Sequence, residues 1–146
     1  MLQPLDPRTK DITQRAIARV TPFADALGLM FYARLFELDP ALRVLFKTDL
    51  QDQAHALITM LQLCIEGLDE RADLQQTLKN LGARHLWYGA KPRHYATVHS
   101  ALMWTMREGL GDDWDAETEA ALQTVFQLFI DEMQRVEITG EQRELT

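Results

Sequence analysis

Three times within the first 40 residues a helix-capping residue is followed at once by proline: Asp6-Pro7, Thr21-Pro22 and Asp39-Pro40. Proline fixes its φ near the helical value and lacks the N–H that a first helical turn leaves unpaired. It therefore suits the first position of a helix and is costly inside one or in a paired strand. An Asp or Thr just before it offers an oxygen to the free amides of that turn. The pattern predicts three helix starts in close succession, and an all-α chain.

The rest of the chain continues in the same way. The first helix would bury Ile12, Ala16, Ile17 and Val20, and the second carries Phe23, Ala26, Leu27, Met30, Phe31 and Leu35. The third is short and ends near Phe46. A brief polar connection over 47–50 leads to a helix from about Gln51 to Ile65, closed by Gly67, with Leu57, Leu61 and Cys64 in line and Gln53 at the start of that line. His55, roughly half a turn away from Gln53, should face solvent. From Pro92 to about Leu110 apolar residues occupy most of the circumference, which predicts a helix in the middle of the domain, stopped by Gly111. Asp115 or a neighbour caps the last helix, amphipathic through Leu122, Val125, Phe126, Phe129, Met133 and Val136, and a polar tail follows over about 138–146.

Between these elements lies the stretch with the most chemistry, Leu74–Tyr95. Leu74, Leu78, Leu81 and His85 follow at steps of four, three and four, so one helical face carries three leucines and then an imidazole. Gly89 lets the chain leave that helix, and Pro92 opens the next. The imidazole is expected on the buried face of the last turn, where it needs a partner: a neighbouring side chain, or a metal in a flat cofactor against the leucines.

Composition narrows the function. The 146 residues fit one domain with an ordinary core, since apolar residues make up 47% and charged residues 25%. A net charge of −7 argues against nucleic acid or an anionic membrane as the main partner. The longest apolar run, Ala26–Ala33, is too short to span a bilayer, and the first residues lack the apolar centre of a signal peptide. A lone Cys64 forms no internal disulfide, which suits a reducing cytoplasm. There is no HExxH, CxxC, phosphate-binding glycine loop or Ser–His–Asp pattern.

With a histidine ending one helix just before a Gly-x-x-Pro corner, the chain resembles the globin family, above all bacterial single-domain globins and the haem domain of flavohaemoglobins. FYARLFELDPALRVLF (Phe31–Phe46), Gln53 with Leu57, and ARHLWYGAKPRHYATV (Ala83–Val98) carry the resemblance, which covers about residues 10 to 137. It implies a globin fold, a three-over-three helical sandwich around haem b (iron protoporphyrin IX). His85 would be the iron ligand, bonding through one ring nitrogen while the other donates to a protein acceptor. Phe46 would stack on the porphyrin, with Arg84 and Val98 also against the cofactor. Tyr32 and Gln53 would line the side where O₂, NO or CO binds, with Leu57 closing the apolar wall. Tyr95 and Glu137 match positions that hydrogen-bond around the proximal histidine, with Glu137 taking the imidazole N–H.

Each residue also has a plainer reading. Tyr32 could be a core tyrosine, Gln53 a solvated helix end, Tyr95 a packing residue and Glu137 part of a fraying end. His94 and His99 could compete as ligands; His94 is expected to meet solvent. Three departures stand out: Ala54 where relatives often carry proline, His99 where they have a small residue, and a short loop between Phe46 and Gln53. The chain ends where a flavin reductase would begin, so turnover would draw electrons from a separate reductase. The functions open at this point are reversible O₂ binding and delivery, nitric oxide dioxygenation with that external reductase, gas or redox sensing, and a cofactor-free interaction domain.

Overall fold

A computed structural model describes residues 2, 4–46 and 49–139, with side chains as far as 135. Its six α-helices are α1 (Pro7–Val20), α2 (Ala24–Leu38), α3 (Leu50–Glu66), α4 (Arg71–Trp87), α5 (Pro92–Leu110) and α6 (Ala116–Thr139). Tight 3₁₀ turns at Thr21–Phe23, Pro40–Leu45, Gly67–Asp69 and Gly111–Asp113 connect them, and no strand occurs among the described residues.

Two of the three proline starts work as the sequence predicts. An Asp6 carboxylate oxygen accepts from the Arg8 N–H (3.3 Å) and one of Asp39 from the Ala41 N–H (3.2 Å). Asp49 and Asp115 cap α3 and α6 alike, accepting from Gln51 (2.7 Å) and Thr118 (2.7 Å). Thr21 differs. Its backbone is still helical (φ −54°, ψ −37°) and its hydroxyl donates back to the Ile17 carbonyl at 2.6 Å, away from the amides that follow. Pro22 therefore tightens the end of α1 into a 3₁₀ turn, and α2 begins only at Ala24.

The helices stack in two layers, α1, α3 and α4 against α2, α5 and α6. The closest approaches between layers are made by residues too small to hold the backbones apart. A Cβ on Gly28 of α2 would sit 2.5 Å from the Ala54 Cβ of α3. A Cβ on Gly82 of α4 would overlap the Met133 carbonyl oxygen of α6 and lie 2.9 Å from its Cα. Ala54, fully buried, is thus accounted for by the α2–α3 crossing, which admits neither a ring nor a long side chain. Around these crossings Leu35, Ile58, Ile65, Leu78, Met106, Leu122 and Phe126 form one core, each no more than 2% exposed. Each such side chain contributes about 1.5–3 kcal/mol by leaving water.

The α5 helix keeps its expected bounds but not its expected place in the centre. It buries one face, through Tyr95, Ala101, Leu102, Thr105, Met106 and Leu110, while Met103 and Trp104 stay half-buried. The Arg34 guanidinium of α2, 5.3 Å from the Trp104 ring centroid, covers that aromatic instead. At the start of α5 the Lys91 backbone N–H donates to His94 Nδ1 (3.0 Å). His94 is half-buried and satisfies the helix end rather than standing free in solvent.

Two outcomes follow from these contacts. Gly82→Ala forces α4 and α6 apart and should cost about 1–3 kcal/mol in urea unfolding. Gly67→Ala, whose Cβ would meet Leu74 at an ordinary 3.7 Å, should be neutral or gain about 0.4–1 kcal/mol. Equal behaviour of the two variants would dismiss the crossing as a constraint. The second outcome concerns pH. Burial first, then the neighbouring Arg93, holds the His94 pKa below its ordinary 6.5, because a protonated Nδ1 could not accept from Lys91. The unfolded chain therefore binds that proton more readily. The stability His94 contributes is present above about pH 6.5 and is lost as pH falls through its folded value. His94→Asn keeps an acceptor without titrating and should flatten part of that slope; an unchanged slope would remove His94 from the account.

Candidate functional site

The leucine line of α4 does not stay buried. Leu74 (3% exposed) and Leu78 (1%) close it at one end, Leu81 is half-covered, and the His85 ring is exposed to solvent-accessible space. The expectation of a buried imidazole is corrected to one at an opening. Its surroundings are nevertheless protein on most sides: desolvation, ahead of every other cause, lowers its pKa below 6.5. The ring is thus reachable from solvent while protein surrounds most of it.

Local backbone chemistry fixes that ring. His85 is the third residue from the end of α4, and the Ala90 N–H returns to its carbonyl (2.8 Å) while the Gly89 N–H returns to Leu86 (3.1 Å). This pair of bonds needs a residue with positive φ, and Gly89 supplies +99°. The His85 Nδ1 lies 2.7 Å from the Leu81 carbonyl. A carbonyl only accepts, so Nδ1 carries the hydrogen and Nε2 keeps its lone pair in the neutral ring. The acceptor is therefore a backbone oxygen one turn back, where the resemblance implied Glu137. Helix α6 runs through position 137, but the Glu137 side chain lies outside the described residues.

Elsewhere in the fold, α2 and the 40–46 segment build an aromatic wall. The Tyr32 ring packs 5.0 Å from Phe31, 6.0 Å from Phe36 and 5.1 Å from Phe46, and Phe36 lies 5.6 Å from Phe46. Such contacts add about 0.5–1.5 kcal/mol per pair beyond burial. Tyr32 is buried and desolvation pushes its phenol up to about 12, so it is a hydroxyl donor at neutral pH. Among the described residues nothing hydrogen-bonds that hydroxyl. On α3, Gln53 and Leu57 are half-buried one turn apart, beside the Ala54 crossing. His55 faces outward as expected and pairs with Asp25 at 3.0 Å.

Two further contacts draw the wall and His85 together. A Cβ on Gly89 would lie 3.6 Å from Leu45, so the corner after His85 rests against the turn that carries Phe46. The Asp39 carboxylate acts on His94, which puts the start of α5 at the same end. Val98 is half-buried, Arg84 exposed and Tyr95 buried, whereas His99 is half-buried with its Nε2 unpartnered among the described residues. Phe36 and the Leu81 carbonyl were not singled out in the sequence. Phe36 could have been, because it stands four residues after Tyr32 on the same helical face.

The arrangement fits a flat, largely apolar cofactor with one metal to be ligated. Phe36, Phe46, Leu57, Leu61, Leu81 and Val98 pack on the core yet remain only partly covered. The neutral His85 imidazole keeps a lone pair on Nε2, and the Tyr32 phenol bonds nothing among the described residues. No cluster of three or more His, Cys, Asp or Glu able to hold a bare ion occurs among the described residues. Cys64 is buried, with its thiol pushed up to about 11 by desolvation, and offers no competing thiolate.

The sequence model of the family described as Globin matches residues 29–133. Neuroglobin of Danio rerio is 30% identical over 122 residues, covering 74% of this chain and 77% of that protein. A flavohemoprotein of Bordetella pertussis is 28% identical over 111 residues, covering 74% of this chain but 28% of the longer relative. Among solved structures, a hexacoordinated heme protein from an anhydrobiotic tardigrade superposes with a TM-score of 0.83 at 19% identity, covering 90% of this chain and 94% of that one. Fold, family match and site chemistry agree: haem is the cofactor, and the chain belongs to the globin family.

Proposed function

We propose that this chain holds haem b through His85 Nε2 and binds O₂ reversibly on the side walled by Tyr32, Phe46, Gln53 and Leu57. The observation that carries the reading is the imidazole geometry: the Leu81 carbonyl takes the Nδ1 hydrogen, which leaves Nε2 unprotonated with its lone pair available. When bound, haem would supply an iron able to take a diatomic gas. Everything else falls to the chain. The Leu81 carbonyl and the Gly89 corner hold the imidazole in one tautomer and one orientation. Desolvation keeps it neutral, since an imidazolium cannot ligate a metal. The Tyr32 hydroxyl would serve as hydrogen-bond donor to a polar diatomic ligand, and the Gln53 amide would donate beside it or position the phenol. Phe36, Phe46 and Leu57 exclude water. NO and CO fit the same space but draw less on the phenol.

A second reading, nitric oxide dioxygenation with a separate reductase, is favoured by the similarity to the B. pertussis flavohemoprotein, which aligns along 74% of this chain. The two readings share every residue named above and differ in the electron supply. A compartment inside the cell suits both.

His85→Ala should lose the Soret band of the purified protein, or show it only with added imidazole; an unchanged spectrum would assign the iron to another residue. Tyr32→Phe keeps the ring packing and removes a hydrogen bond worth on the order of 1.5–3 kcal/mol. Stopped-flow measurement should show O₂ release accelerated by roughly ten- to a hundredfold, and CO release changed much less. Equal acceleration of both gases would point to altered access instead of lost electrostatics.

A further inference from the structure

The chain's charge is segregated, and the segregation centres on the site. From Leu74 to Arg107 there is no Asp or Glu, while Lys79, Arg84, Lys91, Arg93 and Arg107 give this stretch five positive charges. The other ten Lys and Arg face all 22 Asp and Glu. Elsewhere, among the described residues, Arg8, Lys10, Arg15, Arg19, Arg34 and Arg135 each pair with a carboxylate. Arg43, Arg84, Lys91 and Arg93 are exposed and, among the described residues, pair with no carboxylate, the Arg43 guanidinium lying 5.3 Å from the Phe36 ring centroid. The Leu45–Gly89 contact brings Arg43's turn against the corner that bears Lys91 and Arg93. Asp39, the carboxylate felt by His94 there, is occupied in capping the 40–45 turn. Trp87 (62% exposed) and Tyr88 (68%) stand between the free cations, two large rings left uncovered just beyond His85.

We propose that this face docks an acidic protein that delivers single electrons to the haem, with Lys91, Arg93, Arg43 and Arg84 steering it and Trp87 and Tyr88 forming the contact. The inference rests on the haem reading above. Unpaired cations around an aromatic centre are what an anionic partner surface recognises, and steering by such a patch raises association rates steeply at low salt. A small acidic protein fits better than an extended anionic surface, because the rest of this chain is strongly negative and would be repelled by a membrane or a polynucleotide beyond the patch. The step itself balances simply. The partner's reduced centre loses one electron, the ferric iron gains it, and no bond is made or proton moved.

The test uses the ¹⁵N-labelled haem-loaded chain and an acidic plant-type [2Fe–2S] ferredoxin. Titration with the oxidised ferredoxin should shift the Trp87 indole and the amides of 84–93, with affinity falling by about tenfold or more between about 20 and 200 mM salt. The double variant Lys91→Glu/Arg93→Glu should weaken binding, and slow reduction by reduced ferredoxin, by a similar factor. Its Soret band and its reduction by dithionite should be unchanged. Binding indifferent to salt or to charge reversal, shifts centred on another face, or tighter capture by phosphatidylglycerol vesicles than by ferredoxin would overturn the proposal. A chain without a Soret band would overturn the haem reading and the electron delivery with it, while the same titration on the apoprotein would separately decide whether an acidic protein docks on this face.

Discussion

Two backbone crossings set the dimensions of everything else in this molecule. Where α2 meets α3, Gly28 lies on Ala54; where α4 meets α6, Gly82 lies on Met133. Interiors are packed as densely as organic crystals, so helix separation at a crossing follows the side chains placed there. Each crossing is within about one turn of the site. Tyr32 is four residues after Gly28, Gln53 and Leu57 flank Ala54, and His85 is three residues after Gly82. The contacts that hold the layers together therefore also set the positions of the aromatic wall and the imidazole.

The second constraint is electrostatic and local. The Leu81 carbonyl and the Schellman-type corner at Gly89 settle the His85 tautomer without any other side chain. That arrangement costs little, because the bonds lie within one helix end. It also leaves the ring on the open part of a face that is closed further back by Leu74 and Leu78. A chain that buried its imidazole completely would have satisfied the ring and lost the site. The neutral imidazole and the Tyr32 phenol, which bonds nothing among the described residues, are the two groups on which the haem reading draws.

Much of this was legible in the sequence because it is local. Helix starts and stops at Asp6, Asp39, Gly89, Pro92 and Gly111 depend on φ preferences and nearby oxygens, and they fall where those residues place them. Thr21 misled because a threonine hydroxyl can also donate four residues back, a choice that no spacing rule decides. The apolar circumference of α5 misled for another reason: periodicity does not reveal that Arg34 of another helix covers Trp104. The opening of the α4 face toward His85 was likewise hidden, since a leucine ladder reads as buried along its whole length. Ala54 is the clearest lesson. In sequence it was a departure from a family pattern, and in the fold it is the partner that Gly28 requires.

The central claim is that the metal of the haem sits on His85 Nε2, between α4 and the Tyr32–Phe46 wall. Diffraction from crystals of the haem-loaded chain, collected at the iron absorption edge, measures this without mutating any residue. The account predicts one anomalous peak within bonding distance of His85 Nε2, with the Leu81 carbonyl still on Nδ1 and the Tyr32 hydroxyl on the opposite side. A peak coordinated instead by His94 or His99, or one far from His85, would contradict it.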